Sequence, residues 1–255
     1  MDISIITPSY NKLENLIKLK KNLDKFFFKY DFEWIVCLEN DDTKSINFMQ
    51  SISSEKIKFI HGDFKSGAVA FSQGLKIAKG KYINYNGDDD FKTENFFSVM
   101  DFIDYDYNII HTRCNYVNEN GKSIRIVSCY IKHILLKYFN YKFLKIINFI
   151  MTPAMLVDRE LFIKAKGLSE EYQFANDYHA WLNILRNKKL LYVNLLSTNA
   201  TYSLNTNTGS FRFSRFIELY KISRYHNKNN LLLHFLNSSC LIIIVFFNLL
   251  KLLRN

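Results

Sequence analysis

The sequence predicts an α/β protein with a doubly wound, mostly parallel sheet and a helical C-terminal tail. Strand-like and helix-like segments alternate in the order β-α-β-α-β-α-β between residues 1 and 90, which is the pattern of a doubly wound sheet. The first strand-like run is short and β-branched, as expected for a strand that is buried on both faces. From residue 211 onward the sequence is compatible with helix. We therefore expect a main domain over residues 1–210 and a helical tail over residues 211–255.

The composition limits the class of protein. The chain has 255 residues, of which 48% are apolar, and this is ample for one large domain with its own core. Its four cysteines show no paired spacing, which argues against a zinc or disulfide framework and favours the cytoplasm. The N-terminus has no basic segment of the kind that begins a signal peptide. The net charge of +10 indicates an anionic partner, but we find no nucleic-acid-binding motif and expect no nucleic acid.

The first 90 residues contain four predicted strands and three predicted helices. The strands are short apolar, β-branched or aromatic runs at residues 3–7, 33–38, 57–61 and 82–85. The helices are expected at residues 12–29, 45–53 and 68–78. Asn11 is the expected N-cap of the first helix, and Gly80 is the expected C′ residue of the third.

The rest of the chain alternates less regularly. Strands are expected at residues 107–116, 152–157 and 190–196, with a hairpin-type turn at residues 118–121. Helices are expected at residues 93–102, 130–150 and 159–166, at the segment that opens with Asn176 and Asp177, and from residue 211 onward.

Residues 82–90 contain the feature on which the functional interpretation depends. A short strand ends in Asn-Gly and is followed at once by Asp88, Asp89 and Asp90. In an open α/β sheet, ligands bind at the carboxyl ends of the strands. Adjacent carboxylates repel one another unless a cation lies between them, and hard oxygen ligands suit Mg²⁺ or Mn²⁺. The sequence therefore favours a divalent-cation site that serves a phosphorylated ligand. A solvated acidic turn is the alternative.

Four segments, in this order along the chain, are similar to those of a known family: residues 4–11 (SIITPSYN), 34–43 (WIVCLENDDT), 78–89 (AKGKYINYNGDD) and 174–182 (FANDYHAWL). Through them the chain resembles the GT-A-fold glycosyltransferases of family 2, the bacterial nucleotide-sugar-dependent enzymes of surface-polysaccharide assembly. The resemblance implies that residues 1–210 form a GT-A domain. It also implies transfer of a sugar from a nucleotide-sugar, with a UDP-sugar as the expected donor, to a glycan or lipid-linked acceptor.

The resemblance assigns roles to the carboxylates. Asp89 is expected to bind Mn²⁺ or Mg²⁺, with Asp88 on the ribose of the donor or as a second metal ligand. Asp177 is expected to be the catalytic base that takes the proton of the acceptor hydroxyl, and this implies inversion at the anomeric carbon. Asn176 stands where the family often has Glu, which leaves a single carboxylate at this place. An ordinary helix N-cap is the alternative role for Asp177.

The resemblance also places the nucleotide. Pro8 and Tyr10 belong to the family's opening strand and turn, where donor binding is expected. Tyr10 and Glu39 are expected to bracket the nucleobase, with Asp63 nearby. Glu39 stands where an Asp is common in the family, and a solvated loop acid is its alternative role.

Two segments suggest a membrane surface. Between Gly121 and Met151 the chain has six basic residues, no acid, and many aromatic and aliphatic residues, a mixture typical of membrane-facing surfaces. The tail contains an apolar run at residues 240–247 with polar residues around it. An interfacial helix, a packing or oligomerisation helix, and a transmembrane helix remain alternatives for it. We expect a cytoplasmic enzyme that is peripheral on the inner leaflet.

A function of a different class is also open. The loop at residues 39–43 and Asn176 both depart from the family pattern. Such departures would suit a catalytically inactive GT-A-like scaffold or binding subunit of a glycan-assembly complex. Such a subunit would not need Asp88, Asp89 and Asp177 together. The presence of all three favours the enzyme.

Overall fold

The computed structural model describes residues 1–102, 107–124, 127–202, 213–228 and 230–252. Within these residues the strands are β1 Ile3–Ser9, β2 Phe32–Glu39, β3 Ile57–Gly62, β4 Tyr82–Tyr85, β5 Asp90–Lys92, β6 Ile109–Val117, β7 Met155–Asp158 and β8 Leu191–Thr201. The helices are α1 Leu13–Leu23, α2 Thr43–Ile52, α3 Gly67–Ile77, α4 Glu94–Ser98, α5 Val127–Lys137, α6 Tyr141–Leu144, α7 Arg159–Lys164, α8 Asn176–Ile184, α9 Phe213–His226 and α10 Leu231–Leu252. Short 3₁₀ helices span Val99–Phe102 and Thr152–Ala154.

One mixed sheet joins all the strands, in the order β3-β2-β1-β4-β7-β6-β8-β5. The strands β1 to β4 run parallel to one another, as the alternation of strands and helices predicts. Beyond β4 the sheet is mixed, because β7 is antiparallel to both of its neighbours and β6 is parallel to β8. The carboxyl ends of β1 to β4 consequently meet at one edge of the sheet, and the loops that leave them lie together there.

The buried strands supply two cores on opposite faces of the sheet. Along β2, Trp34 and Val36 belong to one core and Ile35 to the other, because successive side chains of a strand point to opposite faces. Helices α1, α2 and α4 cover the first face, and α3 together with α5 to α9 covers the second. The nearly continuous apolar runs of β1 and β2 follow from this burial on both faces.

Several boundaries differ from the prediction. The first helix ends at Leu23 rather than at residue 29, and its N-cap is Lys12 because Asn11 adopts a left-handed φ of 54°. The residues that follow form turns. The ring of Phe27 stacks on that of Phe32, with the ring centroids 4.4 Å apart. The long helix expected over residues 130–150 is two helices. Asn140, with an extended φ of −139°, interrupts them and caps α6 through its side chain.

Gly80 has a role other than the predicted helix C′ position. Its φ is not in the left-handed region. A Cβ at this position would lie 2.4 Å from the backbone nitrogen of Ser4, so glycine is required because β1 passes directly against the turn before β4. The three-residue strand β5, which pairs with β8, was also absent from the prediction.

A buried carboxylate connects the amino ends of the parallel strands β1 to β3 and the turn before β4. The Glu33 side chain is fully buried and accepts hydrogen bonds from Ser4 Oγ, Lys58 Nζ and the Lys79 backbone N–H, each at 2.6 Å. Burial by itself raises the pKa of Glu33, but the hydrogen bonds from Lys58, Ser4 and Lys79 outweigh it and hold the pKa below its usual value of 4.5.

We expect Glu33→Gln to lower the free energy of unfolding by about 2 kcal/mol near neutral pH, since hydrogen bonds to a charged group are lost. A carboxylate with a lowered pKa stabilises the folded state above its unfolded pKa and loses that effect as the pH falls. The difference between the two proteins should therefore shrink below pH 4.5. Urea denaturation over this pH range measures it. Glu160→Gln, which removes an exposed ion pair with Arg159, is the control. A difference that stays constant with pH would contradict the assignment.

Candidate active site

The acidic turn after β4 is held by the side chain of Asn86. This side chain is fully buried, and its Nδ2 donates to the carbonyl oxygens of Gly87 at 2.7 Å and Asp90 at 3.0 Å. The Gly87 N–H donates to Asp90 Oδ2 at 3.1 Å. A Cβ on Gly87 would lie 2.7 Å from that carboxylate oxygen, so only glycine permits the close approach. The local sequence thus folds into a tight turn that fixes Asp88 and Asp89.

Asp88 is oriented by β1 and α1. Its two carboxylate oxygens accept hydrogen bonds from Ser9 Oγ at 2.6 Å and Asn15 Nδ2 at 2.9 Å. Burial raises the pKa of Asp88, and these two hydrogen bonds oppose the increase. The carboxylate of the turn is therefore connected to the first strand and first helix of the chain.

Asp89 lies next to it in a partly buried position. Burial, followed by the charge of Asp88, raises the pKa of Asp89 to about 6. Among the described residues no group of three or more His, Cys, Asp or Glu side chains is arranged to hold a metal ion. Magnesium is commonly bound through one or two carboxylates together with substrate phosphates. The donor set of Asp89 and Asp88, two hard oxygen ligands with mutual repulsion that a cation would relieve, fits such an ion.

A cavity of about 620 Å³ lies at the carboxyl ends of β1, β2 and β3. It is lined by Tyr10, Glu39, Asn40, Asp41, Asp63, Lys65, Ser66 and Gly67. Three of the predicted nucleotide-binding residues, Tyr10, Glu39 and Asp63, therefore line one cavity. Pro8 lies close to it, with its Cβ 3.9 Å from the position that a Cβ on Gly67 would occupy.

Hydrogen bonds hold the walls of this cavity. The half-exposed Tyr10 donates its hydroxyl to Asp41 Oδ2 at 3.0 Å. Glu39 Oε2 accepts the Phe64 backbone N–H at 3.0 Å, so this carboxylate is bonded to the loop after β3 and is not simply solvated. Asn40 donates to Asp63 Oδ1 at 3.0 Å. Residues 65–67 were not among the predicted nucleotide-binding residues, although their place between β3 and α3 was the available signal.

Asp177 stands at the start of α8. The N-cap of this helix is Ala175, so the alternative of Asp177 as an ordinary N-cap is wrong. Its Oδ2 accepts a hydrogen bond from Thr152 Oγ1 at 2.8 Å, and Thr152 Oγ1 in turn accepts the indole N–H of Trp181 at 3.2 Å. Thr152 was not predicted as a site residue, because only the folded chain brings it to Asp177.

The 3₁₀ turn Thr152–Ala154 joins Asp177 to the acidic turn. The carbonyl oxygen of Pro153 accepts hydrogen bonds from Asn84 Nδ2 on β4 and from Lys92 Nζ on β5. Lys92 is buried, and burial lowers its pKa, which the neighbouring Asp90 partly opposes. These contacts attach the segment that orients Asp177 directly to the strands on either side of the acidic turn.

The hydroxyl of Tyr85 is affected by the charge of Asp177 and by the charges of the acidic turn. Tyr85 ends β4, its ring packs on Phe71 at 4.9 Å, and its hydroxyl lies 3.5 Å from the Cβ position of Gly67 in the cavity wall. Burial raises the pKa of the Tyr85 hydroxyl, and the charges of Asp177, Asp90 and Asp88 raise it further. Asp177 and the acidic turn thus both raise the pKa of the same hydroxyl.

The comparison with protein families identifies the family of the chain. The family model for glycosyl transferase family 2 matches residues 4–165, which is more than half of the chain. The chain belongs to glycosyl transferase family 2. The family resemblance drawn from the four sequence segments is confirmed, and so is the prediction of an α/β GT-A fold.

Known proteins agree with this assignment. The chain is 26% identical over 228 residues to the Escherichia coli UDP-Glc:alpha-D-GlcNAc-diphosphoundecaprenol beta-1,3-glucosyltransferase WfaP, a match that covers 87% of this chain and 84% of WfaP. An uncharacterized glycosyltransferase of Rickettsia felis is 23% identical over 195 residues, 72% of this chain, but the match covers only 31% of that longer protein. The crystal structure of S. aureus TarS 1-349 in complex with UDP-GlcNAc superposes with a TM-score of 0.69 at 16% identity, and covers 90% of this chain and 67% of that one.

We expect Thr152→Val to lower the free energy of unfolding by about 1–3 kcal/mol, because the buried Trp181 indole loses its acceptor and Asp177 loses a donor. Thr152→Ser keeps the hydroxyl and should retain most of the stability. Urea denaturation of the three proteins measures the difference. Equal stability of the Val and Ser variants would show that the hydroxyl makes no net contribution.

Proposed function

We propose that this chain is a metal-dependent, inverting glycosyltransferase that moves a sugar from a UDP-sugar to a glycan or lipid-linked acceptor in surface-polysaccharide or lipopolysaccharide biosynthesis. The observation that carries the proposal is the placement of Asp88 and Asp89 at the end of β4. The turn Thr152–Ala154 bonds to Asp177 and also to β4 and β5 on either side of these carboxylates. Glycosyl transfer requires two such groups, one to hold the donor diphosphate and one to accept a proton.

The cavity beside β1 to β3 is the proposed nucleotide site. It opens at the carboxyl ends of parallel strands, where nucleotides bind in folds of this class. Tyr10 offers an exposed ring for stacking, and Glu39 and Asp63 offer acceptors for base and ribose donors. Both WfaP and the TarS complex carry uridine nucleotides in their names, which supports a UDP-sugar as the donor.

Asp89 and Asp88 are the proposed ligands of Mn²⁺ or Mg²⁺. When bound, such an ion neutralises the charge that develops on the departing diphosphate. Asp88 is held in place by Ser9 and Asn15, so this carboxylate requires little rearrangement when the donor enters.

Asp177 is the proposed general base. As the acceptor oxygen forms its bond to the anomeric carbon, the bond from that carbon to the diphosphate oxygen breaks, and its electron pair leaves with UDP. The acceptor proton passes to Asp177, whose carboxylate is held by Thr152 and by the Tyr178 backbone N–H. Attack from the face opposite the leaving group inverts the anomeric carbon in one displacement.

We expect UDP to raise the melting temperature of the wild type in the presence of Mn²⁺ and to do so much less in its absence. Asp89→Asn should lose this shift, because a neutral amide binds the ion far more weakly than a carboxylate. Asp24→Asn, an exposed aspartate paired with Lys20, is the matched control.

A panel of UDP-, GDP-, CMP- and dTDP-sugars then identifies the donor, and release of UDP measures its transfer. A folded protein that binds none of these with Mn²⁺ would favour the scaffold alternative.

The acceptor is proposed to lie at the cytoplasmic face of a membrane. Helix α5 and the residue that follows it expose an apolar stripe at helical spacing, formed by Val127, Tyr130 and Ile134 together with Tyr138. The lysines Lys137 and Lys142 are exposed nearby. An apolar stripe beside basic residues suits an interfacial contact with anionic lipid. In the part of the chain that the structure describes, no helix combines the length and apolar character needed to cross a bilayer.

We expect the protein to float with vesicles that contain phosphatidylglycerol, and to float less with vesicles of phosphatidylcholine alone. Replacing Tyr130, Ile134 and Tyr138 together by serine should reduce flotation, because the apolar stripe is removed. Phe28→Ser, at a fully exposed phenylalanine outside α5, is the matched control. Unchanged flotation of the triple variant would exclude α5 as the contact.

A further inference from the structure

Glu218 on α9 reaches the segment that precedes α8. Its Oε1 accepts the backbone N–H of Gln173 at 3.0 Å. Its Oε2 accepts the N–H groups of Phe174 at 2.8 Å and of Ala175 at 2.9 Å. One carboxylate therefore binds three consecutive backbone donors, which fixes the path of the chain as it enters the helix.

This contact reaches a helix end that has no capping side chain at its N-cap position. The N-cap residue of α8 is Ala175, and within the first turn Asp177 Oδ1 accepts the Tyr178 N–H. The first N–H groups of a helix have no partner within the helix, and Ser, Thr, Asp or Asn usually satisfies one of them from the N-cap position. Here an acid from another helix approaches the same end, where the helix dipole also favours negative charge.

Asp177 lies two residues after the last of these donors. Thr152 holds its carboxylate from one side, and the backbone that carries it begins at the segment bound by Glu218. We propose that Glu218 is a positioning residue for Asp177, which it holds at the reacting hydroxyl through the backbone of residues 173–175. This inference rests on the proposed role of Asp177 as the general base.

Helix α9 is itself well anchored. Ile222 and Ser223 are fully buried, and Asn227 donates to the carbonyl oxygen of Lys145 at 3.2 Å. The rings of His179 on α8 and His226 on α9 lie 5.1 Å apart. Because α9 is anchored within about two turns after Glu218, the carboxylate can hold the entry of α8 in one place.

The test compares Glu218→Gln, Glu218→Ala and Asp177→Asn with the wild type. The glutamine variant keeps one acceptor oxygen for Phe174 and Ala175 but presents its amide group to the N–H of Gln173, whereas the alanine variant loses all three acceptors. We expect kcat to fall roughly tenfold for Gln and up to about 100-fold for Ala, because a displaced catalytic group loses its alignment with the substrate. The Kd for UDP with Mn²⁺ should remain that of the wild type.

The assay follows release of UDP from the UDP-sugar selected in the donor panel, with water or an added acceptor taking the sugar. Glu170→Gln, an exposed acid in the same loop region, is the matched control and should retain wild-type kcat. Titration calorimetry gives the Kd for UDP, and kcat is normalised to the fraction of protein that binds UDP. A variant that merely fails to fold is thereby separated from one that is folded but misaligned.

Each outcome has one meaning. Loss of kcat in the Glu218 variants with unchanged UDP affinity, together with an inactive Asp177→Asn, supports the inference. Wild-type kcat in the Glu218 variants beside an inactive Asp177→Asn overturns the inference and leaves the proposed function intact. Parallel loss of UDP binding and kcat shows a general structural role and also overturns it. Wild-type kcat in Asp177→Asn refutes the proposed base, and with it the positioning role.

Discussion

Mutual repulsion among the carboxylates after β4 is the constraint that shapes this end of the molecule. Three acids follow one another in a tight turn, and each has a different compensation. Asp88 receives hydrogen bonds from Ser9 and Asn15. Asp90 is buried beside Lys92. Burial raises the pKa of Asp90, and the positive charge of Lys92 opposes this increase. For Asp89, the proposed compensation is a cation that Asp88 helps to bind. Strand β1, helix α1 and the pair β5–β8 are all required to keep this arrangement.

A second organising feature is the short turn Thr152–Ala154, which collects contacts from distant parts of the chain. The fully buried His111 accepts the Met151 N–H at its Nε2 and has a pKa lowered to about 3 by burial, so it is neutral and its tautomer is fixed. Thr112 donates to the carbonyl oxygen of Ala154 at 3.0 Å. The turn is thus hydrogen-bonded to β6 as well as to β4 and β5. A rigid support of this kind suits the general base proposed at the start of α8.

The sequence predicted the parallel half of the sheet closely because β1 to β4 are buried on both faces, and burial on both faces produces apolar runs that are easy to recognise. It could not predict β5, since Asp90–Lys92 is too short to show a pattern and exists through its pairing with β8. Glu39 and Asp63, two of the three acids that line the cavity, were predicted as site residues because each lies close in sequence to a strand end, whereas Asp41 was not predicted. Thr152, Lys92 and Glu218 were missed because their partners are 25, 61 and 44 residues away. No local pattern encodes such contacts.

The central position of β1 has a consequence for how the chain is made. This strand lies between β2 and β4, and the approach of Gly80 to Ser4 joins residues 76 positions apart. A nascent chain leaves the ribosome from its N-terminus, so β1 and β2 are available before β4 has been synthesised. Until residues 82–85 emerge, β1, which is an interior strand of the finished sheet, has one unpaired edge. In that interval its backbone donors and acceptors are open to pairing with other chains, and binding by a chaperone would protect them.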